Sequence, residues 1–218
     1  EKGFTVPLYF EPVIYTSTGY PSRLRFDPDS DAVYAVHYYD PFCHADHPYT
    51  VYGRRLMRTG VHIKMKEACR FGVPLFYGEF GVSPTVEGYD AFLDDFLGLL
   101  QEHHISWTCY SYDTTTYCGF GLLEEDGSPR ESLLKHYVSV YPQRVAGRNL
   151  KTTSEANRFV LEYDPINTAA PTVIAIPKRF NHATVSVNEN QVVFTGEQCL
   201  FEHQSNVCEG RQRIVVEW

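Results

Sequence analysis

The chain has 218 residues, 43% of them hydrophobic, and a formal net charge of -8. That length supports one or two globular domains with a real buried core. The acidic balance, a sequence pI near 5.6 and the lack of any basic stripe or Arg-rich run exclude recognition through nucleic-acid phosphates, and favour a soluble, neutral or non-phosphate partner.

Residues 6 to 15, V-P-L-Y-F-E-P-V-I-Y, are predicted as a strand, followed by a loop rich in Ser, Thr and Gly. A second strand is expected over 32 to 40, A-V-Y-A-V-H-Y-Y-D. After a His-rich loop, residues 51 to 71 have a helical pattern, with Leu56, Ile63 and Ala68 among charged neighbours and Gly72 as the stop. Residues 73 to 81, V-P-L-F-Y-G-E-F-G, form a short apolar run that ends on an acid between two glycines, as a buried parallel strand would. Phe92, Phe96, Leu99 and Leu100 then recur at helical spacing within 86 to 103. A strand is expected at 104 to 113, and a last helix over 128 to 142 with Ser128 as cap and Pro129 in its first turn.

This order of strands separated by helices specifies parallel β/α units. From about residue 146 the pattern changes to short alternating runs such as N-R-F-V-L-E-Y, T-V-I-A-I-P and R-I-V-V-E-W, which predict an antiparallel β-sandwich. The predicted division is therefore 1–145 and 146–218, with a polar boundary near Arg144 to Thr153.

The chain has no apolar run of the roughly 18 residues that span a bilayer, and it opens E-K-G, as a mature or cut product would. Cys109 with Cys118 and Cys199 with Cys208 each close a short loop, and Cys43 with Cys69 is a third candidate pair. Such pairs predict disulfides and an extracytoplasmic location: secreted, lysosomal or at the cell surface. No zinc-type Cys/His spacing occurs. His44, Asp46 and His47 offer metal-ligating atoms without regular ligand spacing, so no metal site and no cofactor are assigned.

An acid just beyond the carboxyl end of a parallel strand occupies the position where barrel enzymes carry their chemistry, which makes Glu79 the first catalytic candidate. Its bland alternative is a turn cap or a partner for a surface cation. His37 and Tyr39 share one side of the pleat on the preceding strand, and Trp107 lies on the following one. The ordered set H-x-Y, G-E-F-G and S-W, with a helix between each, resembles strands six to eight of retaining glycoside hydrolases of family 5. The segments P-L-Y-F-E-P-V and T-V-I-A-I-P, with the trailing β-sandwich, are similar to the endoglycoceramidase branch of that family.

The resemblance spans essentially the whole chain. It implies an α/β fold: the carboxyl-terminal half of a TIM (β/α)8 barrel, strands five to eight, followed by an antiparallel β-sandwich domain. It also implies double-displacement hydrolysis of a β-glycosidic bond in glycosphingolipids or related β-glucosides, with Glu79 as nucleophile. Tyr39 would orient Glu79, His37 would line the sugar site, and Trp107 would stack on the sugar ring, with core packing as its alternative. The family's general acid sits in an Asn-Glu-Pro motif that this sequence lacks. Phe10-Glu11-Pro12 is one strand too late, so Glu11 is assigned to substrate contact or to a structural salt bridge, not to the acid. The implied partners are the amino-terminal half of the barrel and a glycan or glycolipid. A loop carrying Tyr110, Tyr112 and the T-T-T-Y run would cover the site and touch a lipid or aglycone, a peripheral membrane contact. A non-catalytic carbohydrate- or lipid-binding or surface-structural protein on the same scaffold is the alternative function.

Overall fold

A computed structural model of the chain describes residues 6–28, 31–114, 119–196 and 199–218. They fall into two compact units, Glu1–Tyr137 and Val138–Trp218.

The first unit is built on a four-stranded parallel sheet in the order β1 (Leu8–Phe10), β2 (Ala32–Tyr38), β3 (Leu75–Phe80) and β4 (Ser106–Trp107). Helix α1 (Val51–Phe71) connects β2 to β3, α2 (Tyr89–Glu102) connects β3 to β4, and α3 (Glu131–Tyr137) follows. Strand β1 is shorter than the run 6 to 15, which breaks at Pro12 and continues as a 3₁₀ turn over Ile14–Thr18. Helix α3 stops short of 142 because Tyr141–Arg144 is strand β5 of the second unit.

Alternation along β2 buries Ala32, Tyr34, Val36 and Tyr38, while Val33, Ala35, His37 and Tyr39 stay partly open. The buried set packs against the helices: Tyr38 stacks on Phe92 and Phe96, and Tyr34 meets Phe71 edge-on. Helix α1 starts where the Thr50 side chain accepts from the Gly53 amide, and ends at Gly72, whose left-handed φ of 68° closes the last turn. The residues it buries are Met57, Val61, Lys64, Glu67 and Ala68, rather than Leu56 and Ile63.

Lys64 and Glu67 form a buried pair 3.1 Å apart, with side chains 1% and 7% exposed. Lys64 also donates to the Tyr20 carbonyl at 2.7 Å, and Glu67 accepts from the Ser22 amide at 2.5 Å and from Tyr34 Oη at 2.8 Å. Each charge thus gains additional hydrogen bonds, which a desolvated pair requires to persist. Beside this network the chain after the 3₁₀ turn lies directly on α1, because a Cβ on Gly60 would stand 2.7 Å from Gly19 Cα.

In the second unit the five-stranded sheet has the order β10 (Asn190–Val192), β9 (Thr184–Val187), β12 (Gln212–Glu217), β7 (Arg158–Pro165), β6 (Gly147–Glu155). A three-stranded sheet is ordered β11 (Leu200–His203), β8 (Thr172–Ala175), β5. All pairings are antiparallel. Both sheets contribute to one buried cluster, with Phe159, Leu161, Ile214 and Val216 from the larger and Ile174 and Phe201 from the smaller. The polar stretch near 144–153 is not a linker: most of it is β6, an edge strand whose outward side chains need not be apolar.

The expected disulfides are corrected by free thiols at Cys43, Cys69, Cys109, Cys199 and Cys208. Cys43 precedes the 21-residue α1 and Cys69 sits in its last turn, so the helix, about 1.5 Å per residue, holds them far beyond disulfide reach. Cys199 and Cys208 flank the extended strand β11. Cys118, the proposed partner of Cys109, lies outside the described residues. No described helix is long and apolar enough to cross a membrane.

Replacing Lys64 with Met should leave Glu67 charged and buried, and lower stability by about 3 kcal/mol in urea denaturation, with Glu67→Gln in the same chain restoring much of the loss. Burial, reinforced by the Asp40 carboxylate, pushes the Cys43 thiol up to about 12 from 9.0. The stability this raised value contributes is complete below pH 9.0 and disappears as pH rises toward 12. Native protein at mildly alkaline pH should therefore alkylate at exposed Cys69 and Cys208 and spare Cys43 until it unfolds.

Candidate active site

The site is set by how β2 and β3 pair. Val36 stands opposite Tyr77 and His37 opposite Glu79, so Gly78 is an extra residue in the ladder. Side chains alternate with period two, so a one-residue insertion changes the face of everything after it. Tyr77 and Phe80 both reach Phe96 of α2, whereas Glu79 turns to the other face with His37 and Tyr39. Glu11 reaches the same face from β1: Phe10 packs on Tyr34 and Phe71, so its neighbours Tyr9 and Glu11 point the opposite way, and the Tyr9 ring meets Phe76 edge-on.

Four side chains converge there. Tyr39 Oη donates to Glu79 Oε1 at 2.5 Å, His37 Nδ1 lies 3.9 Å from Glu79 Oε2, and His37 Nε2 lies 3.1 Å from Glu11 Oε2. The Glu79 side chain is 33% exposed, so the carboxylate is held on one oxygen by a phenol yet stays open to an incoming molecule. Tyr39 is fixed from several directions: its amide donates to the Ser17 carbonyl at 2.8 Å, and its ring lies against Phe120 and His44. Beyond it the buried Asp40 carboxylate accepts from the Phe42 and Cys43 amides, each at 3.0 Å, and pins the turn that leaves the strand.

Of the two glycines that bracket Glu79, Gly81 has the steric reason. A Cβ there would stand 2.6 Å from the Tyr110 carbonyl oxygen and 2.9 Å from the Phe120 ring, whereas at Gly78 it would meet nothing closer than 3.5 Å. Gly81 thereby admits the segment after β4 to the end of β3, where the Tyr110 amide donates to the Phe80 carbonyl at 2.9 Å.

Trp107 requires a correction. It stands opposite Tyr77 in register, and its ring packs on Phe80 and Tyr137, on the helix-facing side of the sheet away from Glu79. It is a core residue, the alternative its sequence context already allowed. Alternation from Trp107 puts Thr108 and Tyr110 on the other side, with Thr108 Oγ1 donating to the Gly78 carbonyl at 2.6 Å and the Tyr110 ring 40% exposed. The signal that could have found Tyr110 is the shared parity of Trp107 and the half-buried Cys109, which leaves Tyr110 on the other face. Tyr112 is 79% exposed, and residues 115–117 of the T-T-T-Y run lie outside the described residues. The His44 ring serves the Tyr39 wall, and among the described residues no group of three or more His, Cys, Asp or Glu side chains could hold a metal ion.

Residues 9–115 match the family model for cellulase, glycosyl hydrolase family 5. Endo-glycoceramidase II from Rhodococcus sp., in complex with a cellobiose-like isofagomine, superposes with a TM-score of 0.82 at 23% identity, covering 97% of this chain and 49% of that one. The same enzyme as its ganglioside GM3 complex gives a TM-score of 0.83 at 22% identity, again covering 97% and 49%. The cellulose synthase subunit Z from Clostridioides difficile superposes with a TM-score of 0.50 at 19% identity over 61% of this chain. No curated protein matches the sequence. The chain thus spans about half the length of the Rhodococcus structures whose fold it shares. Its first unit has a TIM-barrel-type α/β fold, with the described strands forming an open sheet rather than a closed barrel. The matched segment, which contains Glu11, His37, Tyr39 and Glu79, is thus similar to the cellulase domain of glycosyl hydrolase family 5.

Proposed function

We propose that this chain carries the nucleophile of a retaining β-glycosidase that acts on glycosphingolipids or related β-glucosides. The reading rests on one observation above the others: the 2.5 Å hydrogen bond from Tyr39 to Glu79 Oε1, on a half-open carboxylate at the carboxyl end of a parallel strand. A phenol donor on one oxygen orients the carboxylate for attack through the other. In the proposed step Glu79 bonds to the anomeric carbon as the bond to the leaving oxygen breaks. A second carboxyl group protonates that oxygen, and water then releases the sugar from Glu79.

The second carboxyl group belongs, in this reading, to an amino-terminal half of the barrel that precedes these four strands in the assembled site. The first unit is then the carboxyl-terminal half of a (β/α)8 barrel and the second a β-sandwich, an arrangement supported by superposition on about half of a glycolipid-cleaving enzyme. Exposed Tyr110, one strand beyond Glu79, replaces Trp107 as the aromatic surface for the sugar.

A fluorinated β-glycosyl fluoride offered to the intact protein should leave one covalent adduct, found by peptide mass mapping on the segment containing Glu79. Glu79→Gln should abolish both the adduct and hydrolysis. Tyr39→Phe should reduce hydrolysis roughly 10- to 100-fold, the kinetic equivalent of one hydrogen bond to a charged group. An adduct on another carboxylate would overturn the assignment.

A further inference from the structure

The placement of Glu11 is specific. Pro12 restricts Glu11 to extended backbone, so the chain keeps its strand direction past Phe10 and the carboxylate comes out on the His37 side. There it meets His37 Nε2 at 3.1 Å, while the other ring nitrogen, Nδ1, faces Glu79 Oε2 at 3.9 Å. A carboxylate only accepts, so a neutral imidazole tolerates the shorter contact when its single proton is on Nε2. With the proton on Nδ1 instead, two lone pairs would oppose each other at 3.1 Å. The gap of 3.9 Å to Glu79 is too long for a hydrogen bond and makes no matching demand.

We propose that Glu11 is a positioning residue that, whenever the imidazole is neutral, locks His37 in its Nε2–H tautomer and thereby keeps Nδ1 as a hydrogen-bond acceptor beside Glu79. This rests on the reading of Glu79 as the reacting group. Nδ1 and Oε2 then form two neighbouring acceptors, so the site selects a donor such as a sugar hydroxyl at the reacting carbon's side. The lock also prevents an Nδ1–H from being directed at Glu79, which would drain charge from the carboxylate that Tyr39 already holds. Tyr39 and His37 thus act on different oxygens of one carboxylate, one as donor and the other as a silent neighbour.

Long-range proton–nitrogen NMR of the intact protein labelled with ¹⁵N-histidine, at a pH where the imidazole is neutral, reads the tautomer directly. The His37 signals are identified by their loss in His37→Gln. The expected wild-type pattern is a pyrrole-type Nε2 and a pyridine-type Nδ1. Glu11→Ala should lower the Nε2–H to Nδ1–H ratio roughly tenfold, the worth of one such hydrogen bond, and Glu11→Gln, whose amide oxygen still accepts, should restore most of it. A circular dichroism spectrum identical to wild type confirms that each variant is folded. A pyridine-type Nε2 in the wild type, or a ratio unmoved by Glu11→Ala, overturns the proposal. The measurement needs no turnover: an intact lock without labelling of Glu79 supports the positioning role and removes the hydrolytic reading alone.

Discussion

The pairing of β2 with β3, with its one-residue shift between Val36 and His37, determines which side chains of the first unit can meet. Ahead of the shift Tyr77 faces the helices, and just past it Glu79 faces the opposite way while Phe80 returns to α2. A strand end can thus contribute two aromatic rings to the core in quick succession and still present an acid to the open face. Bulges re-aim side chains in this manner without shortening the ladder, at the cost of one unpaired residue. Gly78, with no side chain to place, occupies that position.

Support for the site comes from the helix side. Tyr38 lies between His37 and Tyr39 in sequence and is buried in the Phe92 and Phe96 stack, so the two residues that flank it are held on the open face by the packing of their neighbour. The 3₁₀ turn whose Ser17 carbonyl accepts from the Tyr39 amide is in turn held near α1 by the Gly19 and Gly60 approach and by the Lys64–Glu67 network just beyond it. A buried ion pair contributes little net stability, but its unmet partners would be costly, so it specifies where the segment through Tyr20 and Ser22 must lie. The same packing keeps the Cys43 thiol protonated by burial, beside a carboxylate occupied with backbone amides.

Much of this was legible from residue order. The limits of α1 follow from Thr50 and Gly72, because caps act locally and leave a local signature. His37, Tyr39 and Glu79 were identifiable as a set because two share the parity of one strand and the third ends the next. Trp107 was not, since its parity relative to Glu79 depends on which residue it faces across the ladder, and that residue is Tyr77. Strand β6 was hidden for a different reason: an edge strand carries few buried side chains and has the composition of a linker. The cysteine pairs failed because closeness in sequence does not imply closeness in space when a helix or strand runs between the thiols.

The amino-acid sequence by itself determined the alternation of strands and helices, the change to an antiparallel unit and the choice of polar residues near the strand ends. These depend on periodicity and capping, which act over a few residues. The tertiary structure alone decided that Glu79 shares a face with His37 and Tyr39 while Trp107 does not, and that Glu11 touches the imidazole rather than standing apart. Those outcomes depend on register between strands more than 25 residues apart, as between His37 and Glu79, and a single inserted glycine in the ladder reverses the face on which a side chain emerges.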